Sequence, residues 1–289
     1  MKFGLRYCNT GRFIDPILAT ELLQAAEEAG FESAWTVEHT VVPDGYKSAY
    51  PYSTDGKMSG DRYDFPLPDP LIWMAFLAAR TQRMKLGTGI LILPQHNPVI
   101  VAKQVATLDA MSNGRVLLGI GVGWMREEFD VIGSSFDDRA ARTDEYVAVM
   151  RSLWSEDRPV FNGDYVRFDG AYCRPQPVDG TVPIIIGGHS KAAARRAGRI
   201  GDGFFPAREF PSELIELARR TAIENNRDPK DVEITVSYPA EAKEVEHLRR
   251  QSVGRVLVPV NPMPGMATCI RTPEEALSWK GQIEDFYDE

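Results

Sequence analysis

Along the first two thirds of the chain one pattern recurs. A short apolar run is followed by a loop, and then by a stretch whose apolar positions return every three or four residues. The first kind of run predicts a buried strand and the second an amphipathic helix. "KFGLRY" leads into "DPILATELLQAAEEAG", where Asp15 can cap, Pro16 suits the first helical turn and Gly30 ends the helix. Ile14, Leu18, Leu22, Ala25 and Ala29 recur at helical spacing. "SAWTV" predicts a second strand, "DPLIWMAFLAAR" repeats the Asp-Pro start, and "MKLGTGILIL" predicts a third strand. "NPVIVAKQVATLDAM" places Val101, Val105 and Leu108 on one face, and "RVLLGIGVG" with "DDRAARTDEYVAVMRSLW" makes the fourth pair. "VPIIIGG", "SKAAARRAG" and "GDGFFPA" continue the series.

Beyond residue 210 the pattern is fainter: a helix near 211–225, "VEITVSY", a helix near 239–250, "GRVLVPV", and a last helix in "TPEEALSWKGQIEDF". Thr272, Pro273 and Glu275 have the spacing of a capping box. Eight strands alternating with about eight helices imply parallel strands, and the size suits a single (β/α)8 barrel, a TIM barrel. A doubly wound sheet is the competitor. No linker divides the chain, so residues 1–289 read as one domain.

Two segments interrupt the alternation. Residues 40–68 form a long polar and aromatic loop after strand two, and residues 158–177 predict a β-hairpin before strand five. A loop of that length in a compact domain is more often a lid than decoration, and after strand two it lies on a barrel's catalytic face. Tyr46, Tyr50, Tyr52, Tyr63 and Phe65 suit an aromatic-lined lid, or a loop packed on its own barrel.

Composition narrows the class. An apolar fraction of 43% with 26% charged residues supports a sizeable core. The net charge of −8 speaks against a nucleic-acid partner, which needs basic surface. No apolar run approaches the ~18 residues of a membrane span. The start shows no signal-peptide pattern, and Cys8, Cys173 and Cys269 show neither pairing nor metal spacing. A soluble cytoplasmic protein is expected. Cys8 reads as a buried, inert thiol, and His96 and His247 have no partner at metal-ligand spacing, so no metal site is expected.

The chemistry concentrates at predicted strand ends. In "GRVLLGIGVGWMREEF", Gly119, Gly121 and Gly123 alternate, but the third comes one residue early for a dinucleotide fingerprint, and Trp124 stands in its place. In a barrel these glycines would let a flat ring lie against the strand ends, or simply allow close packing at the mouth. Glu38 and His39 follow strand two. If the backbone there is extended, their side chains point opposite ways, so Glu38 would orient something other than His39. Gly187, Gly188, His189 and Ser190 lead from strand five into a helix, an arrangement that can cradle an anion or merely turn the chain.

"GFESAWTVEH", "GTGILILPQHNPVIVAKQVATLDAMSNGRVLLGIGVGWMREEF", "RTDEY" and "PIIIGGHSKAAARRAGRIGDGFFP" together resemble the luciferase-like monooxygenase superfamily, and more closely its F420-dependent oxidoreductase branch. The match runs from about residue 1 to 208. It implies a (β/α)8 barrel, coenzyme F420 at the C-terminal mouth, and hydride moving to or from C5 of the deazaflavin. It also implies a non-proline cis peptide, here Gly89-Ile90, pressed against the ring. The family's strand-two histidine matches His39, which would exchange the proton that accompanies the hydride, with Glu38 as its acidic neighbour. Val122, Gly123 and Trp124 would line the cofactor, and Gly187, Gly188 and His189 would form the phosphate-side loop. Glu127 or Glu128 could contact cofactor or substrate but read first as solvated carboxylates at a helix start, and Arg139, Arg142, Asp144 and Glu145 read as a structural ion-pair face.

Three functions are weighed. The first is an F420-dependent oxidoreductase acting on a small organic substrate. The second is a monooxygenase using reduced FMN; such members of the family more often carry two histidines after the glutamate, where this chain has His39-Thr40. The third is a non-catalytic barrel that binds a flavin-like ligand. Dimerisation is the habit of the family, and no residue pattern in the chain demands it.

Overall fold

The computed structural model describes residues 1–58, 63–206, 210–262 and 268–287, and for Tyr287 the backbone alone. Part of the loop read as 40–68 (residues 59–62) and Ala207 at the end of "GDGFFPA" lie outside the described residues.

Eight parallel strands close into a barrel: β1 (Lys2–Arg6), β2 (Ser33–Thr36), β3 (Lys85–Thr88) with its continuation β4 (Leu91–Ile92), β5 (Val116–Gly121), β8 (Ile184–Gly187), β9 (Gly203–Phe205), β10 (Glu233–Ser237) and β11 (Arg255–Pro259). Closure comes from β1 pairing β11, with Arg6 beside Pro259, and from β3 pairing β5, with Gly87 beside Leu117. The segment read as one strand three is two pieces, separated by a cis peptide between Gly89 and Ile90. The hairpin is present as β6 (Val160–Asn162) and β7 (Arg167–Asp169), antiparallel.

The helices begin where their capping residues stand. Asp15 accepts from the amides of Ile17 and Leu18 and starts α1 (Pro16–Ala29), which Gly30 ends in the left-handed conformation. Asp69 caps α2 (Pro70–Ala78) and Asn97 caps α3 (Pro98–Ser112). Two more helices follow β5, α4 (Arg126–Ile132) and α5 (Arg139–Ser155); periodicity predicts only the second, because α4 is barely two turns long. Ser190 caps α6 (Lys191–Ile200), and α7 (Ser212–Glu224) and α8 (Glu244–Arg250) complete the ring. The last predicted helix is broken after Leu277 into α9 (Pro273–Leu277) and α10 (Lys280–Tyr287). No helix among the described residues is long and apolar enough to cross a membrane.

Alternation along the strands sorts two cores. Phe3, Leu5, Val256 and Val258 face the helices, while Trp35, Leu117, Ile185, Phe205 and Leu257 fill the barrel's interior. Ile14 does not join α1's buried face; it sits half-exposed in a 3-10 turn before the helix. The floor of the barrel is charged. Arg255, 1% exposed, donates Nε and Nη2 to Glu32 at 2.8 and 2.9 Å and Nη1 to Thr235 Oγ1 at 3.1 Å, and its Nη1 lies 2.9 Å from Glu233 Oε2. Burial alone would push the Arg255 guanidinium down and the Glu32 carboxyl up; their contact outweighs it in both, raising Arg255 and lowering Glu32.

Candidate active site at the barrel mouth

The alternate glycines serve the protein's own side chains. A Cβ on Gly119 would lie 1.9 Å from the Thr88 carbonyl oxygen. One on Gly121 would lie 2.6 Å from Ile90 Cδ1, and one on Gly187 2.4 Å from Ile90 Cγ2. Gly87 likewise makes room for the Trp35 indole at 2.7 Å. Of the two readings of this run, close packing accounts for its spacing: Gly119 admits the Thr88 carbonyl and Gly121, with Gly187, admits Ile90, the residue that follows the cis bond. At Gly123 (φ +80°) the carbonyl accepts from Arg139 Nε at 3.3 Å, and a Cβ would strike Phe129 and Ile92. Gly123 thus turns the chain from β5 toward α4.

Two histidine–carboxylate pairs flank the mouth, and both cross between elements. His39 Nδ1 lies 2.9 Å from Glu128 Oε2, and Glu128 is fully buried. Its other oxygen accepts the Thr40 amide at 2.7 Å and the Val41 amide at 3.4 Å. A carboxylate on Nδ1 assigns the ring proton to that nitrogen and leaves Nε2 as the exchangeable one. Glu128 is not the solvated helix-start residue expected; its position one turn into α4, beneath the chain after β2, takes it out of water. Glu127 is also committed, accepting the amides of Lys47 and Ser48 at 2.7 and 3.1 Å. Burial pushes that carboxyl up, but the Ser48 and backbone donors prevail and bring it down to about 2.

Glu38 points the other way from His39, as an extended backbone requires. Glu38 Oε1 is 2.9 Å from His96 Nε2, and Oε2 accepts the Ile92 amide just beyond the cis bond. Burial alone would lower the His96 imidazole, but the Glu38 hydrogen bond and charge leave it raised. Glu38 thus braces the segment behind the bulge and does not touch His39.

Trp124 stands edge-on to His39 (centroids 5.8 Å apart), Tyr46 (5.4 Å) and Tyr50 (5.1 Å). The tyrosine-rich loop therefore packs on the mouth through Trp124, and the Tyr46 hydroxyl accepts the Met58 amide. After the neighbouring strand β8, Gly188 (φ +125°) turns the chain into Ser190, whose Oγ accepts the Ala193 amide at the head of α6. An open cleft of 490 Å³ lies there, lined by His189, Ser190, Lys191, Phe210, Ser212 and Glu213 among others.

The remaining candidates are structural. Asp144 pairs with Arg196 and Arg199, Arg142 with Asp138, Glu145 accepts the hairpin amides of 164–166, and Arg139 lies over Phe136; the four do not pair with one another. Cys8 is fully buried, which pushes its thiol up to about 12. Sequence reasoning missed the roles of Glu128 and His96. Their partners lie 89 and 58 residues away, and no local spacing announces them.

The profile of the luciferase-like monooxygenase family matches residues 14–279. An uncharacterised protein of Mycobacterium tuberculosis is 34% identical over 187 residues, 65% of this chain and 65% of that protein, so the chain matches slightly under two thirds of its length. The F420-dependent glucose-6-phosphate dehydrogenase of Mycobacterium avium is 34% identical over 251 residues, 82% of this chain and 69% of that one. Among solved structures, an F420-dependent secondary alcohol dehydrogenase in complex with an F420-acetone adduct is 27% identical, with a TM-score of 0.66 over 97% of this chain and 81% of that one. The F420-dependent tetrahydromethanopterin reductase of Methanopyrus kandleri, 16% identical, shares the fold with a TM-score of 0.75 over 99% of each chain. The closed parallel barrel and the profile match across nearly the whole chain agree: this protein belongs to the luciferase-like monooxygenase family.

Proposed function

We propose that this protein is an F420-dependent oxidoreductase that exchanges a hydride with a small organic substrate at the barrel mouth. The observation that carries the reading is His39, fixed through Nδ1 by a fully buried carboxylate and left with Nε2 for exchange. An imidazole aimed in this way can give or take the proton that accompanies hydride transfer. The similarity to two F420-dependent dehydrogenases supports the choice of cofactor.

The residues present fit such a group. The α6 N-terminus, capped by Ser190, and Lys191 line an open cleft suited to an anionic phosphodiester tail. Gly188 and His189 shape its entrance. Val122, Gly123 and Trp124, with the Gly89-Ile90 bulge, would flank the ring. F420, when bound, supplies a carbon that accepts or donates hydride. Trp124 and the Tyr46 loop exclude water, Glu128 holds the His39 tautomer, and Glu38 with His96 holds the segment behind the bulge.

Titration of the purified protein with oxidised F420 and, separately, with FMN tests the cofactor by ligand fluorescence. Saturable F420 binding at least about tenfold tighter than FMN is the expected result. The reverse preference would overturn the reading in favour of reduced-FMN oxygen chemistry.

A further inference from the structure

Arg6 ends β1 and faces the barrel interior at the open end, 6% exposed. Among the described residues it meets no carboxylate. Its Nη1 donates to the Ser237 hydroxyl and its Nη2 to the Tyr7 hydroxyl. The guanidinium carbon lies 4.2 Å from the Tyr7 ring centroid and 5.3 Å from that of Phe205. Nε is buried without a hydrogen-bond partner. Of five N–H groups two are committed, so a guanidinium edge still has donors to offer.

A desolvated cation held only by hydroxyls and ring faces is costly unless something neutralises it. This barrel does neutralise its other interior arginine, surrounding Arg255 with Glu32 and Glu233. Tyr7 adds an independent sign. It adopts φ 64°, a left-handed conformation uncommon for a bulky residue, in the turn that carries its ring under Arg6. Phe205, which stacks on Arg6, also borders the cis bulge: a Cβ on Gly89 would lie 3.4 Å from its ring. The cation therefore belongs to the base of the mouth, where a reacting molecule would rest.

The geometry points to Arg6 as the anchor for an oxyanion on the substrate, a carboxylate or a phosphate monoester, held on a guanidinium edge that Tyr7 and Ser237 fix in place. The inference rests on the mouth being the substrate site, and it narrows the substrates to be tried to anionic ones.

Ligand-observed NMR with benzoate, phenyl phosphate and benzamide tests it, because the three probes share a ring and differ in the head group. In the wild-type protein at least one anion should bind about tenfold or more tightly than benzamide, and the one that wins identifies the head group. Arg6→Met should erase that preference and Arg6→Lys should keep part of it. Should the Met variant not fold, Arg6→Gln replaces it, the fold being checked by circular dichroism. Equal binding of all three probes, or a preference that survives loss of the charge, overturns the anchor. F420 titrated in parallel separates the two readings. F420 bound with no anion preference removes the anchor alone, and an Arg6-dependent preference without F420 binding removes the cofactor reading while the anchor stands.

Discussion

Arg255 and Arg6 both point into the barrel, one at the N-terminal ends of the strands and the other at the C-terminal ends. Around Arg255 the chain supplies two carboxylates and a threonine hydroxyl, and the cluster is closed on itself. Around Arg6 it supplies only neutral hydroxyls and aromatic faces. The same contrast holds for the carboxylates. Glu32 and Glu233 at the floor answer an arginine, whereas Glu38 and Glu128 at the mouth answer histidines and backbone amides. The floor neutralises its charges internally, so removing one partner there strands the others. At the mouth the cation meets only neutral groups, and one imidazole nitrogen is held by a carboxylate.

If that division holds, changes at the mouth should alter function and spare stability, and changes at the floor should do the reverse. His39→Ala should slow F420-linked hydride transfer about 10²- to 10⁴-fold in single-turnover absorbance measurements, with the urea midpoint nearly unmoved. An unchanged rate would remove His39 from the chemistry. Arg255→Met should cost about 3 kcal/mol of unfolding free energy, because Glu32 loses its two-pronged partner and Glu233 is left with Lys2 alone, while F420 affinity in the folded fraction stays within about twofold. A neutral result would mean that the floor cluster is dispensable. Glu128→Gln should fall between the two: about tenfold in rate, with faster amide hydrogen exchange at Thr40 and Val41, read by mass spectrometry.

The smallest effect concerns pH. His96 is raised by Glu38, so the native state holds its proton above the ordinary imidazole value. The stability from this pair is fully present below the unfolded value near ~6.5 and is lost as pH rises through the folded one. Wild type should therefore lose stability relative to His96→Gln as pH rises over that window, by no more than about 1 kcal/mol in urea melts. A flat difference would show that Glu38 does not depend on the charged form of His96.

The barrel was legible because its grammar is local. Asp15, Asp69 and Asn97, each followed by proline, announce three helices at the residues where they begin, and the apolar runs between them mark strands. The short α4 and the break after Leu277 were not legible, since two turns carry too little periodicity and the cap at Thr272 says nothing of where its helix stops. The site was legible in part. His39 stands out through its place after a strand and the resemblance around it. Glu128 does not, because the side chain of a glutamate early in a helix is read as solvated unless one knows which backbone lies beneath it. The glycine run misled in an instructive way. Its spacing announces close approach, but whether a ligand or Ile90 does the approaching is a property of the closed barrel.

The carboxylate of Glu128 has two tenants: one oxygen aims His39 and the other holds the first amides of the long loop. Glu127 clamps the same loop again at Lys47 and Ser48. One carboxylate therefore ties the near end of the loop to the aim of the imidazole. Lifting the loop by its near end releases the histidine's aim, and re-aiming the histidine requires the loop to be down. Under the proposed function, traffic through this side of the mouth and proton exchange at His39 would be successive events, an order of operations that needs no separate sensor of occupancy.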